Sequence, residues 1–109
     1  AQGDLLILGS ASGETPTSAL TARKAKQVGA RLVLITARAD STIARLSDLR
    51  LVIRAKTKHG ADPGPASIQP MASVFEQTML LAFDVVTVLL MEKLQVSEAA
   101  MLQRHWNLE

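Results

Sequence analysis

Residues 4–16 read DLLILGSASGETP. Leu5, Leu6, Ile7 and Leu8 form an unbroken apolar run between Asp4 and Gly9, the pattern of a strand covered on both faces; a half-exposed strand would alternate. Gly9 to Thr15 follows as a loop. Pro16 then stands where a first helical residue belongs, because its missing N–H is unneeded there and its fixed φ suits the first turn. Thr15, just before it, is a residue able to cap. The stretch therefore opens a βα unit.

Working outward, a helix is expected from Pro16 to Val28, with Gly29 as its stop. Arg31 to Thr36 (RLVLIT) repeats the buried-strand pattern. Asp40 and Ser41 are alternative caps for a short helix through Leu46, and Leu49 to Ile53 reads as a third strand. Strands joined by helical crossovers imply an α/β chain, a parallel sheet with helices on its faces. Lys56 to Ser67 has the Lys, His, Gly, Asp and Pro content of an exposed loop. Pro70 is placed to open a helix reaching about Leu94 that is apolar on nearly every side, and Ser97 to cap a last helix carrying Met101, Leu102, His105 and Trp106. With no internal repeat and no linker, residues 1–109 read as one domain. The first strand begins almost at residue 1, so one or two upstream βα units of roughly 30 residues each are expected to be missing, or supplied by another chain.

Composition narrows the function. Of 109 residues 48% are hydrophobic and 20% charged, which excludes a disordered chain. Phe75, Phe83 and Trp106 are the whole aromatic set, so the core rests on Leu, Val, Ile, Ala and Met. A net charge of +2 with basic and acidic residues intermixed gives no nucleic-acid footprint. The absence of cysteine removes disulfides and zinc–thiolate sites and is compatible with the cytoplasm. Ala1 to Asp4 do not read as a signal peptide. The apolar stretch Met79 to Met91 is interrupted by Asp84 and is shorter than the roughly 20 residues of a membrane span. It reads as a helix covered by protein, which predicts a homo-oligomer, dimer or tetramer, and no membrane partner.

The chemistry concentrates in GSASGETPTS. Ser10, Ser12 and Thr15 offer hydroxyls, Ala11 offers a backbone donor, and Gly9 and Gly13 let the backbone turn tightly toward a ligand. Together with the start of the following helix this suits a phosphate group. An ordinary strand-to-helix turn whose Ser and Thr only cap uses the same residues. The pattern is neither a Walker loop nor a GxGxxG fingerprint. His59 has no partner at metal-ligand spacing, and no metal site is expected. Asp84 reads as a core or interface acid, and Arg23, Lys24 and Lys26 as a solvated helix face.

GDLLILGSASGETPTSAL (residues 3–20) resembles the phosphate loop of the sugar isomerase (SIS) domain family. SIQPMASVFEQ (67–77), LLMEKL (89–94) and QRHWNLE (103–109) sharpen the match toward the C-terminal half of its phosphohexuloisomerase branch. Ala11 stands where other loops of the family often carry Gln or Gly. The resemblance implies a three-layer, flavodoxin-like parallel sheet with helices on both faces, here without its N-terminal portion. It implies interconversion of 3-hexulose 6-phosphate and fructose 6-phosphate, as used in formaldehyde assimilation, through an enediolate and without metal or redox cofactor. On the same ground Ser10, Ala11, Ser12 and Thr15 bind phosphate, and Glu76 is the base. His105 is a second proton-transfer group from its own or a neighbouring subunit, and Ser67 and Gln69 bind substrate. Alone, Glu76 also reads as a first-turn acid favoured by the helix dipole, His105 as a surface residue, and Ser67 and Gln69 as caps. SIS domains also occur as non-catalytic sugar-phosphate sensors, and an inactive fragment is the remaining alternative.

Overall fold

Three parallel strands, β1 (Leu5–Gly9), β2 (Arg31–Thr36) and β3 (Leu49–Val52), lie in the order β1-β2-β3 in a computed structural model that describes residues 1–57 and 64–105. Leu6 stands opposite Leu32 and Leu8 opposite Leu34. Side chains alternate along a strand, so these four leucines share one face. Helices α1 (Pro16–Gln27) and α2 (Thr42–Leu46) cover it. Ala22, Leu32, Leu34, Ile43 and Ala44 form the buried centre, with Leu6, Leu8, Ala19 and Leu46 packed against it. Each fully buried Leu or Ile contributes about 1.5–3 kcal/mol. Gly9 points to the other face, where a Cβ would collide with the Met79 side chain of α3 (Ser73–Leu94). Helices thus meet both faces of the sheet.

The three apolar runs are not equally covered. β2, the central strand, is buried along most of its length, β1 is half-buried in its middle, and all four residues of β3 are exposed. Leu5, Leu49 and Leu51, which share the face opposite α1 and α2, remain open. A continuous apolar run gives the strand but not its position: among the described residues β2 lies between β1 and β3.

Local signals place the helix ends. Pro16 is the first residue of α1. At the far end Gly29 takes φ +80°, its N–H donates to Lys26 O (3.1 Å) and Ala30 N donates to Ala25 O (3.0 Å), closing the helix with a left-handed residue. Lys26 Nζ reaches both Asp48 oxygens (2.7 and 2.8 Å), and Asp48 also accepts from Leu32 N (2.7 Å), pinning the end of α1 to the β2–β3 edge. Ser41 and Ser97 cap α2 and α4 (Glu98–Arg104) through Ala44 N and Ala100 N, each at 3.2 Å. The start of α3 departs from expectation. Met71 sits at φ +55°, and both the N–H and the hydroxyl of Ser73 donate to Pro70 O (3.1 and 2.7 Å), so Pro70 ends the preceding turn and the helix opens three residues later.

The chain divides into two compact units, Ala1–Met79 and Leu80–Glu109. The second consists of the rest of α3 and α4. At 22 residues α3 is about 33 Å long. By length and composition it is apolar enough to cross a membrane, a test that core helices of soluble proteins also pass. Phe75 is its only buried residue, while Leu80, Leu81, Val85, Val88, Leu89, Leu90 and Leu94 are exposed. The described residues do not supply the cover its sequence calls for.

Candidate active site

The turn leaving β1 is held by its own hydroxyls. Ser10 is buried, its N–H donates to Ile35 O (2.9 Å), and its Oγ accepts from Gly13 N (3.1 Å). The same Oγ lies 2.9 Å from Thr15 Oγ1, and Ser12 Oγ accepts from Glu14 N (3.1 Å). Thr15 does not cap α1; its hydroxyl turns back to Ser10. Among the described residues the N–H groups of Ala11 and Ser12 have no acceptor. Free backbone donors beside the start of a twelve-residue helix are the elements of an anion site.

A second turn supports this one from behind. Thr36 Oγ1 (3.2 Å) and Ala37 N (3.0 Å) both donate to Ala11 O, and Ile43 N donates to Gly13 O (3.1 Å). Gly13 has φ +65°, and a Cβ there would run into the Ser41 side chain, so position 13 demands glycine for both conformation and space. Glu14 Oε1 accepts from Thr42 N (2.7 Å). Hydrogen bonding from the Thr42 side chain and backbone, with help from Arg45 and Arg38, holds the Glu14 carboxyl below its ordinary range. Sequence reasoning missed this support. The available signal was an acid inside a loop otherwise suited to an anion.

In front of the loop lies a cavity of about 450 Å³. The turn lines it with Gly9, Ser10, Ala11, Ser12, Glu14, Thr15 and Pro16; Ala72, Phe75, Glu76 and Met79 complete it. Glu76, in the first turn of α3, is exposed, while Phe75 and Ala72 beside it are buried. The Glu76 carboxylate therefore shares one cavity with free backbone donors, three hydroxyl residues and Glu14. The SIS domain family matches residues 1–88. The chain belongs to the SIS domain family. A Bacillus subtilis 3-hexulose-6-phosphate isomerase is 40% identical over 100% of this chain and 59% of its own length. A Mycobacterium gastri protein of the same name is 37% identical over 98% and 53%. The crystal structure of a hypothetical Methanococcus jannaschii protein, for which a 3-hexulose-6-phosphate isomerase function was inferred, superposes with a TM-score of 0.78 at 30% identity, covering 97% of this chain and 55% of that one. The chain thus spans just over half the length of the relatives it matches.

The remaining candidates of this SIS domain fall elsewhere. Ser67 Oγ accepts from Gln69 N (3.0 Å), and Gln69 Nε2 donates to Gln77 Oε1 (3.3 Å). Neither residue lines the cavity and neither caps α3, which starts four residues beyond Gln69. Among the described residues the buried Gln69 Oε1 atom has no hydrogen-bond partner. His105 ends α4 in the second unit with its side chain exposed and its N–H on Leu102 O (3.1 Å). Asp84 is exposed on α3, and Arg23, Lys24 and Lys26 are exposed on α1, Lys26 paired with Asp48. His59 and Trp106 lie outside the described residues. No group of three His, Asp or Glu side chains able to hold a metal ion occurs among the described residues.

Proposed function

We propose that this SIS domain forms the phosphate-binding and catalytic part of an isomerase that interconverts 3-hexulose 6-phosphate and fructose 6-phosphate. The observation that carries the reading is the cavity shared by the Ser10–Thr15 loop and Glu76. The names of the relatives that match nearly the whole chain supply the substrate. The phosphate ester sits against the N–H groups of Ala11 and Ser12 and the hydroxyls of Ser10, Ser12 and Thr15. Glu76 then takes the proton from C2, which the neighbouring C3 carbonyl acidifies. The resulting enediolate receives a proton at C3 while the hydroxyl proton of O2 passes to O3, leaving the carbonyl at C2. One carboxylate can take the carbon-bound proton and return it, and with the hydroxyl proton moving from O2 to O3 the step needs no net acid or base. Ser67 and Gln69, expected to bind substrate, do not line this cavity and are assigned no contact with the sugar.

His105 acts in ring opening or carbonyl polarisation, contributed by its own or a neighbouring subunit. Assembly into a homo-oligomer covers the apolar face of α3, which is the reason to expect a dimer or tetramer; the cytoplasm is the compartment proposed for it. Formaldehyde assimilation is the process such an isomerase serves. Incubation of the purified protein with 3-hexulose 6-phosphate, followed by assay of fructose 6-phosphate, tests the reading. Glu76→Gln is expected to lower kcat by about 10²–10⁴-fold with phosphate binding retained. Full activity in that variant removes Glu76 from its role, and binding without turnover in the parent chain points to a sugar-phosphate sensor instead.

A further inference from the structure

Glu14 brings a negative charge into a turn whose other groups suit an anion, and it lines the same cavity. A freely rotating carboxylate there would compete with a bound phosphate for the donors of Ala11 and Ser12 and repel it. The structure places it elsewhere: Oε1 lies 2.7 Å from the N–H of Thr42, 28 residues along the chain. Thr42 is the first residue of α2, so its N–H has no acceptor within the helix. The same two segments are also joined by Ile43 N on Gly13 O (3.1 Å) and by the close approach of Gly13 to Ser41.

We infer that Glu14 is a positioning residue: its carboxylate clips the Ser10–Thr15 turn to the backbone of Thr42, which both sets the turn's donors and parks its own charge away from the anion. The inference rests on the proposed reading of the turn as a phosphate site and adds the residue that keeps that site receptive. Glu14 forms no bond to the substrate and takes no part in the proton transfer.

Thr42→Pro separates the two effects of the clip from the chemistry. Proline is accommodated at a first helical position, and Ser41 already has the extended conformation (φ −163°, ψ 170°) that a following proline requires, so α2 is expected to remain. The change deletes the donor and frees a charged Glu14. Calorimetric titration of the full chain with inorganic phosphate and with fructose 6-phosphate is expected to show affinity falling on the order of tenfold in Thr42→Pro. Most of that loss is expected to return in the double variant Thr42→Pro, Glu14→Gln, whose freed side chain is neutral. In turnover the loss is expected in KM, with kcat little changed. Glu14→Asp gives the same answer without touching α2: it keeps the charge but is one methylene short of Thr42, and is expected to bind phosphate more weakly than Glu14→Gln. Thr42→Pro binding as the parent does, a double variant no better than Thr42→Pro, or Glu14→Asp binding as well as Glu14→Gln would each overturn the inference. A parent chain that fails to bind phosphate at all would instead remove the reading of the turn on which the inference rests.

Discussion

The two turns that leave the carboxyl ends of β1 and β2 are built from the same kinds of residue and are used in opposite ways. After β2, Ser41 is buried and spends its hydroxyl on Ala44 N, closing its own helix, while Thr36 spends its hydroxyl on Ala11 O. After β1, Thr15 stands in the capping position and withholds its hydroxyl from α1, giving it to Ser10. The β2 turn spends its hydroxyls on backbone groups and serves as a wall, whereas the β1 turn lines a cavity beside the free N–H groups of Ala11 and Ser12. Ser and Thr at a strand-to-helix junction do not by themselves mark a binding site. The distinguishing feature is which of them leaves its cap unmade.

The largest effect comes from breaking the contact between the two turns. Gly13→Ala places a side chain at φ +65° and drives it into Ser41. The backbone conformation alone costs about 1–3 kcal/mol, and the collision adds to it. Chemical denaturation is expected to show that loss, and phosphate titration a loss of binding, because the turn cannot keep its shape. A variant as stable as the parent, with phosphate affinity intact, would mean that the turns are not interlocked.

The comparison itself is sharpened by two alanine substitutions of like size. Ser41→Ala removes a buried cap and is expected to lower stability by about 1 kcal/mol, within the 0.5–2 kcal/mol range of such losses. Thr15→Ala removes no cap but one bond to Ser10, so its stability is expected to fall by no more than about 0.5–1.5 kcal/mol. Its phosphate affinity is expected to fall on the order of tenfold, as for loss of one hydrogen bond to a charged group. Paired unfolding curves and phosphate titrations check both. If Thr15→Ala loses stability and keeps its affinity, the β1 turn is a capped junction like its neighbour.

Much of this was legible in the sequence because the signals are local. The leucine runs gave three strands, Pro16 and Gly29 gave both ends of α1, and the hydroxyl-rich turn gave the loop facing the cavity. Signals that depend on distant partners were not legible. Thr15 carries the same pattern whether it caps or bonds Ser10, and Pro70 the same pattern whether it opens α3 or precedes it, with Met71 in a left-handed conformation deciding the matter. The runs at Leu5 and Leu49 do not say that their strands flank β2 among the described residues. Glu14 meets Thr42 across 28 residues, a contact that no periodicity encodes.

The smallest effect is a pH dependence of stability carried by the Glu14 clip. Thr42 hydrogen bonding holds the folded carboxyl below its ordinary value of 4.5, with Arg45 and Arg38 the cations acting on it and Thr42 its hydrogen-bond partner. The unfolded chain takes up its proton first as pH falls. The clip therefore contributes its full stability above about 4.5 and loses it as pH falls through the lower, folded value. The group is exposed, so the contribution is small and weakens with salt. Subtracting the unfolding free energy of Glu14→Gln from that of the parent isolates it from the other carboxylates. The difference is expected to be constant at and above neutral pH and to shrink below pH 4.5. A difference that grows on acidification would mean that the folded carboxyl is raised, and the charge would then face the cavity unclipped, the arrangement that the bond from Thr42 N prevents.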